Sequence, residues 1–430
     1  MQNNPNHHGI RKPKLLTTLR TYTWLAFRAD FFAGVTVAMV ALPLSLAIAI
    51  SSGASPSTGL VTAIVAGFLI SMLGGSRVQI GGPTGAFIVV VYGVIAQHGY
   101  DGLVLATLMA GLMLVVAGYF RAGSLIALVP EAVVHGFTIG IAVIIAVSQI
   151  KDLFGLAVTE VPADFVNKIP VLWEARSTVN VESLSIGLLA MALIVLARRS
   201  FPRLPGIMVV MALISAVVAF GALDVDTVMS RFGPLPNRLP APAFPEITFG
   251  RIVELLPSAM TIAFLAGVES LLSAIVADRM FGGAHRPSAE LLAQGFANIG
   301  SALFGGLPAT GAIARTATNV RAGGRTPVAG LVHALTILAV MTVAAPLPGY
   351  LAMPALAGLL ILTAWNMSEP HKWRGYLSLR SSDKLLLIVT LVLTVVSDLT
   401  VAIGVGVAAG LAIRLRRRAA PPAEWTPPER

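Results

Sequence analysis

The chain has 430 residues, 56% of them hydrophobic and only 12% charged, about half the charge density usual in soluble domains. Its mean hydropathy is +0.83. It has no cysteine, which excludes disulfides, thiolate catalysis and cysteine-ligated metals. The net charge of +10 does not point to nucleic acid, because the basic residues gather at the ends of apolar runs.

In chain order, the first 28 residues are polar and basic (Arg11, Lys12, Lys14, Arg20, Arg28) and run directly into an apolar stretch. They lack the short apolar core and small-residue cleavage site of a signal peptide, so residues 1–28 read as a cytoplasmic leader before an uncleaved span. Apolar runs near the length needed to cross a bilayer then recur. They fall near 31–51, 58–74, 85–97, 101–119, 131–150, 183–197 and 205–222. After a polar connector at 223–251 they resume near 252–277, 288–304, 312–320, 328–345, 350–364, 384–397 and 399–415. The expected fold is an all-α polytopic membrane protein of 14 transmembrane segments. Seven lie in residues 29–222 and seven in residues 252–416, and an odd number of spans inverts the second half relative to the first.

Basic residues cluster at Arg198, Arg199 and Arg203; Arg279 and Arg286; Arg321 and Arg325; Lys372, Arg374, Arg380 and Lys384; and Arg414, Arg416, Arg417 and Arg418. Placing these on one face makes that face cytoplasmic by the positive-inside rule. Both termini then lie inside, and Lys151–Glu182 and Asp224–Arg251 lie outside. Ser368–Leu379 mixes Trp, Tyr and bases, as a helix at headgroup level does. The tail 417–430 is proline-rich and expected to be disordered.

The third span of each half is interrupted alike: GGPTGAF at Gly81–Phe87 and GGLPATGAIAR at Gly305–Arg315. Matched interruptions in two halves point to a transporter's binding site. Irregular backbone at membrane depth must be buried in protein or line an aqueous cavity. The expectation is therefore a short extended piece (Val78–Gly82, Gly306–Ala309) before each half-helix, starting at Thr84–Gly85 and Thr310–Gly311. Thr84 and Thr310 suit N-caps, while Gly85 and Gly311 let a ligand approach the backbone. Two opposed helix N-termini make an anion site. Arg315, inside the second half-helix, adds positive potential or else snorkels or pairs with an acid.

Glu269 lies well inside the eighth span, and an intramembrane carboxylate points to a proton or cation. Ser270 and Ser273 could hydrogen-bond it. The alternative is a Glu269–Arg315 salt bridge that only locks the bundle. Asp278, Arg279, Glu131 and Asp398 sit at span ends and read as interfacial. There is no GxxxxGK[ST] phosphate loop. The histidines (His7, His8, His98, His135, His285, His333, His371) show no metal-ligand spacing, and His135 and His333 read as packed. No cofactor and no metal are expected.

GGPTGAF, VESLLSAIVAD and above all PATGAIARTATNVRAGGRTPVAG resemble the sulfate permease (SulP) family, bacterial relatives of the solute-carrier-26 anion transporters. The resemblance covers nearly the whole chain. It implies two inverted seven-segment repeats forming a core and a gate domain, as in uracil-permease-like folds, with elevator-type displacement of the core. It puts the anion at Thr84, Gly85, Ala86 and Phe87 and at Thr310, Gly311, Ala312, Ile313 and Arg315. It makes Glu269 the coupling position, with Ser270 and Ser273 beside it. Sodium-coupled members have Asp and, four residues later, Thr; Glu269 and Ser273 stand here instead, which favours a proton over sodium. Most members carry a cytoplasmic STAS domain after the last segment, whereas a short tail without one is expected here. Members are commonly homodimers.

The sequence thus reads as a secondary active transporter of the cell (inner) membrane. It would move a small inorganic or organic anion (sulfate, bicarbonate, chloride or dicarboxylate) with a proton by alternating access, Phe87 and Leu42–Ile50 lining the pocket. An uncoupled exchanger or channel, and a nucleobase:cation symporter of the same fold, stay open as alternatives.

Overall fold

The computed structural model describes residues 12–121, 123, 130–158, 161–162, 164–200, 205–376, 378–397 and 399–416. Residues 1–11 of the leader, with His7 and His8, and also Arg203, Asp398 and the tail from 417 lie outside the described residues.

Each expected segment coincides with helix. A short α1 (Lys14–Thr18) precedes α2 (Trp24–Ser51), which starts earlier than its apolar run because Thr23 caps it, accepting from the Ala26 N–H. Next come α3 (Pro56–Leu73), strand β1 (Gly81–Gly82), and a 3-10 turn (Gly85–Phe87) that runs into α4 (Ile88–Tyr119). Two expected spans share α4, divided where Gly99 takes φ 70°. Then follow α5 (Glu131–Ser148), α6 (Ile150–Phe154), α7 (Phe165–Glu174), α8 (Val181–Ser200), α9 (Gly206–Phe220) and α10 (Val228–Phe232). The second half holds α11 (Phe249–Phe281), α12 (Pro287–Leu303), β2 (Thr310–Gly311), α13 (Ile313–Arg321), α14 (Val328–Val343) and α15 (Met353–Met367). It ends with α16 (Trp373–Tyr376), α17 (Ser381–Val396) and α18 (Leu399–Arg416). Six of the described helices are long and apolar enough to cross a membrane, and Gly206–Phe220 and Val328–Val343 are apolar but shorter.

The helices pack as two bundles. One comprises α2, α3, α4, α11, α12, α13 and α14; the other α5, α6, α8, α9, α15, α17 and α18. Lipid is as apolar as leucine, so close packing of small residues holds membrane helices together. The α4–α12 crossing shows this: Gly111 lies against the Gly295 carbonyl, leaving no room for a side chain at either position. The segment read as interfacial forms a 3-10 turn (Pro370–Lys372) and α16, where the Trp373 indole donates to the Ser368 carbonyl at 2.7 Å.

Candidate anion-binding site

The two interrupted spans meet. β1 and β2 pair antiparallel, Gly81 opposite Gly311 and Gly82 opposite Thr310, and all four residues are buried. Extension of the pairing by the Ala312 N–H to the Ile80 carbonyl at 2.8 Å carries the chain straight into α13. Backbone this deep must be paired internally, and polar side chains complete the pairing. Asn298 both donates to and accepts from Ala309, at 2.9 Å each. Thr62 accepts from the Leu307 N–H at 2.6 Å, Thr316 from the Ile80 N–H at 3.1 Å, and Asn319 donates to the Val78 carbonyl at 2.8 Å.

Two of the strand glycines, Gly82 and Gly311, have a steric reason. Gly82 has φ 149°, and a Cβ there would strike the Arg315 guanidinium. A Cβ on Gly311 would strike the Gln79 amide. The space beside Gly311 is thus filled by Gln79, not left for a ligand as the sequence suggested. Gly85 faces the other bundle: a Cβ there would press on Met367 Sδ at 3.2 Å and lie at ordinary contact distance from Ile145.

Neither threonine caps a helix. Thr84 has the N-cap backbone (φ −126°, ψ 156°), but its hydroxyl turns away and donates to Glu269 Oε2 at 3.0 Å. The second helix starts at Ile313, so Thr310 belongs to β2 and donates to the Ala266 carbonyl at 2.9 Å. The starts at Gly85 and Ile313 therefore have no side-chain cap. Their first N–H groups, which a helix cannot satisfy internally, are held close together by the strand pair. Ala86 and Phe87 are buried, whereas Ile313 is 41% exposed, so α13 begins beside open space.

Arg315 is 1% exposed. It reaches across from α13 to the first half, where Nη2 donates to Ser45 Oγ at 3.0 Å and to the Pro83 carbonyl at 3.1 Å. Its Nε and Nη1 have no hydrogen-bond partner among the described residues. Among the described residues no ion pair joins it to Glu269, so the bundle-locking salt bridge is not present. Leu42 and Leu46 flank Ser45 on α2 and are buried, so this stretch contributes a hydroxyl as well as apolar wall.

Glu269 is half-buried and takes one described hydrogen bond, from Thr84. The serines expected beside it go elsewhere. Ser270, a residue on, lies 100° round the helix; it donates to Glu290 Oε1 at 3.0 Å and accepts from Gln79 at 3.0 Å. Ser273 has the right spacing, but its hydroxyl meets Thr316 at 3.3 Å. Glu290, missed by the sequence reading, is fully buried and also accepts from the Gly75 N–H and from Gln294, at 2.9 Å each. A signal was available: Glu290, Gln294, Asn298 and Ser301 form one polar stripe on α12 at helical spacing. His333 is fully buried as expected, whereas His135 lies 3.3 Å from Glu369. Asp278 accepts from the His285 N–H at 2.8 Å, at the end of α11.

The model of the sulfate permease family matches residues 27–390. Over 398 residues the chain is 41% identical to the Bacillus subtilis protein named "Putative sulfate transporter YvdB", covering 92% of this chain and 75% of that one. It is 29% identical to the bicarbonate transporter BicA of Picosynechococcus, covering 88% and 69%. Among solved structures it resembles the transmembrane domain of a cyanobacterium BicA, with TM-score 0.79 and 29% identity over 90% of this chain and 98% of that one. Murine Slc26a9 matches with TM-score 0.86 over 97% and 73%; at 16% identity this likeness shows the fold alone.

Proposed function

We infer the function of this chain from one premise: it belongs to the sulfate permease family. It is a transmembrane anion transporter and not an enzyme. We propose that it moves a small oxyanion by proton-coupled secondary transport, with sulfate and bicarbonate, the anions named for its relatives, as the first to test. The carrying observation is the pair of uncapped helix starts joined through β1 and β2, with the unpartnered Nε and Nη1 of Arg315 beside them. Free N–H groups at two helix starts and a buried guanidinium form a preorganised anion cradle.

In this reading the anion lies against Thr84, Gly85, Ala86 and Phe87 on one side and the start of α13 at Ala312 and Ile313 on the other, with Arg315 beside it. Thr310, Gln79 and Ser273 act by shaping the strand pair. Glu269 carries the proton: its described partner is one hydroxyl, and Ser270 and Ser273 point away from it, which suits proton exchange better than a multidentate sodium site. The repeats are two inverted sets of seven segments, and the bundle holding the cradle slides against the other, with Ile145 and Met367 as its facing wall. The protein works in the bacterial inner membrane, both termini inside, as a homodimer.

The test is uptake of labelled sulfate and labelled bicarbonate into proteoliposomes, with and without an imposed pH gradient. Accumulation driven by the gradient is expected for at least one of them. Uptake of neither anion overturns the reading, and uptake that only equilibrates makes the protein an uncoupled exchanger or channel.

A further inference from the structure

Outside the cradle, a buried cation joins the two bundles at one end of the molecule. Helix α7 packs on α17 and so goes with the second bundle. Its Lys168 is 4% exposed. The ammonium donates to the hydroxyl of Ser148, the last residue of α5, at 2.9 Å. It also lies 5.4 Å from the ring centroid of Tyr92, on α4 of the first bundle. The Tyr92 hydroxyl donates in turn to the Val161 carbonyl at 2.8 Å. Nearby, Gln149 donates to Ser51, the last residue of α2, at 3.1 Å. Polar contacts thus tie α2 and α4 to α5 and α7 at this end.

The position is close to the proposed cradle along α4. Tyr92 lies five residues beyond Phe87 on α4, about 7.5 Å of helix, so the closure stands between the first half of the cradle and the face that carries α7.

Burial of a cation is costly unless a charge compensates it. Among the described residues no carboxylate lies in ion-pair range of Lys168. Asp164, one turn earlier, is engaged with the backbone and side-chain amides of Asn167. Burial holds the Lys168 ammonium below the usual lysine value, against the pull of Asp164. A hydroxyl and an aromatic face hold the cation in place, with no ion-paired carboxylate among the described residues.

We propose that Lys168 is a second, outer anion-binding residue, which pairs with the small anion entering from the α7 face and is stored against Ser148 and Tyr92 when the bundles close there. The proposal rests on the transport reading above. An anion that pairs with the released ammonium favours the open arrangement, because it interacts with that state and not with the closed one.

The experiment measures KM from each face of proteoliposomes holding the full chain, with labelled sulfate and labelled bicarbonate as separate probes. Lys168→Met is expected to raise KM at the α7 face about tenfold, the loss of one charge-assisted contact, and to change the opposite face by less than about twofold. Lys168→Arg is expected to keep the wild-type KM at both faces, which loss of packing alone would not predict. An unchanged KM at the α7 face in Lys168→Met overturns the outer site, and so does an equal rise at both faces. Normal uptake by the unmodified protein beside either result leaves the transport reading standing; no uptake of either probe by that protein overturns both.

Discussion

Two carboxylates meet at neighbouring positions of α11, Glu269 as a residue of that helix and Glu290 through Ser270, and they are treated in opposite ways. Glu290 is fully buried and accepts from three donors on three separate segments: the Gly75 N–H, Ser270 and Gln294. Glu269 is half-buried, borders the proposed cradle, and among the described residues accepts from Thr84 alone. A buried acceptor with its sites filled is a structural joint, since each hydrogen bond to a charged group stabilises and each lost one leaves a desolvated atom. A carboxylate with a single hydroxyl partner has capacity left for an exchangeable proton. The two acids differ in depth and in the number of donors around them, and under the proposed function that difference separates a scaffold joint from a proton carrier.

The largest expected effect tests the scaffold. Glu290→Ala removes the acceptor for Gly75, Ser270 and Gln294, and should destabilise the fold by on the order of 3 kcal/mol, read as a fall in thermal unfolding temperature in detergent, with transport lost in parallel. An unchanged unfolding temperature would remove Glu290 from the scaffold and break the contrast. Next comes Arg315→Ala, which takes the guanidinium from the cradle and should weaken anion affinity about tenfold or more, measured by calorimetry or by transport KM. Unchanged affinity would leave Arg315 as a strut between Ser45 and Pro83. Glu269→Gln should leave unfolding temperature and anion affinity close to wild type while abolishing accumulation driven by a pH gradient. Accumulation that persists sinks the proton assignment, and a loss of stability matching Glu290→Ala would erase the distinction between the two acids. The smallest effect belongs to Ser45→Ala, which removes one of two acceptors for Arg315 Nη2. Loss of one neutral partner predicts a rise in KM of about two- to fivefold, and a larger change than for Arg315→Ala would show that Ser45 contacts the anion itself.

Much of the fold was legible because its signals are local. Apolar runs and the division between the spans read at 85–97 and 101–119 follow from residues near in sequence. The paired interruptions were legible as well, since Gly, Pro and Thr-Gly-Ala stand out in apolar surroundings. The side-chain assignments were not. Thr84 and Thr310 looked like caps, yet both hydroxyls found longer-range partners, Glu269 and the Ala266 carbonyl. Ser273 has the spacing to meet Glu269 on one helix face, but Thr316 on α13 competes for it. Gly311 looked like room for a ligand and is room for Gln79.

The sequence by itself determined that this is a membrane protein with two like breaks in its apolar segments, because the bilayer constrains length and polarity residue by residue. It also picked out Glu269 and Arg315 as ionisable groups inside spans, though not Glu290. Only the tertiary structure decided that the breaks pair as antiparallel strands, that Arg315 belongs to the opposite half, and which acid is saturated with donors. Those outcomes depend on segments more than two hundred residues apart, such as Arg315 with Ser45 at a separation of 270. In lipid every buried backbone donor must find a partner, but no local pattern says which of the distant ones it takes.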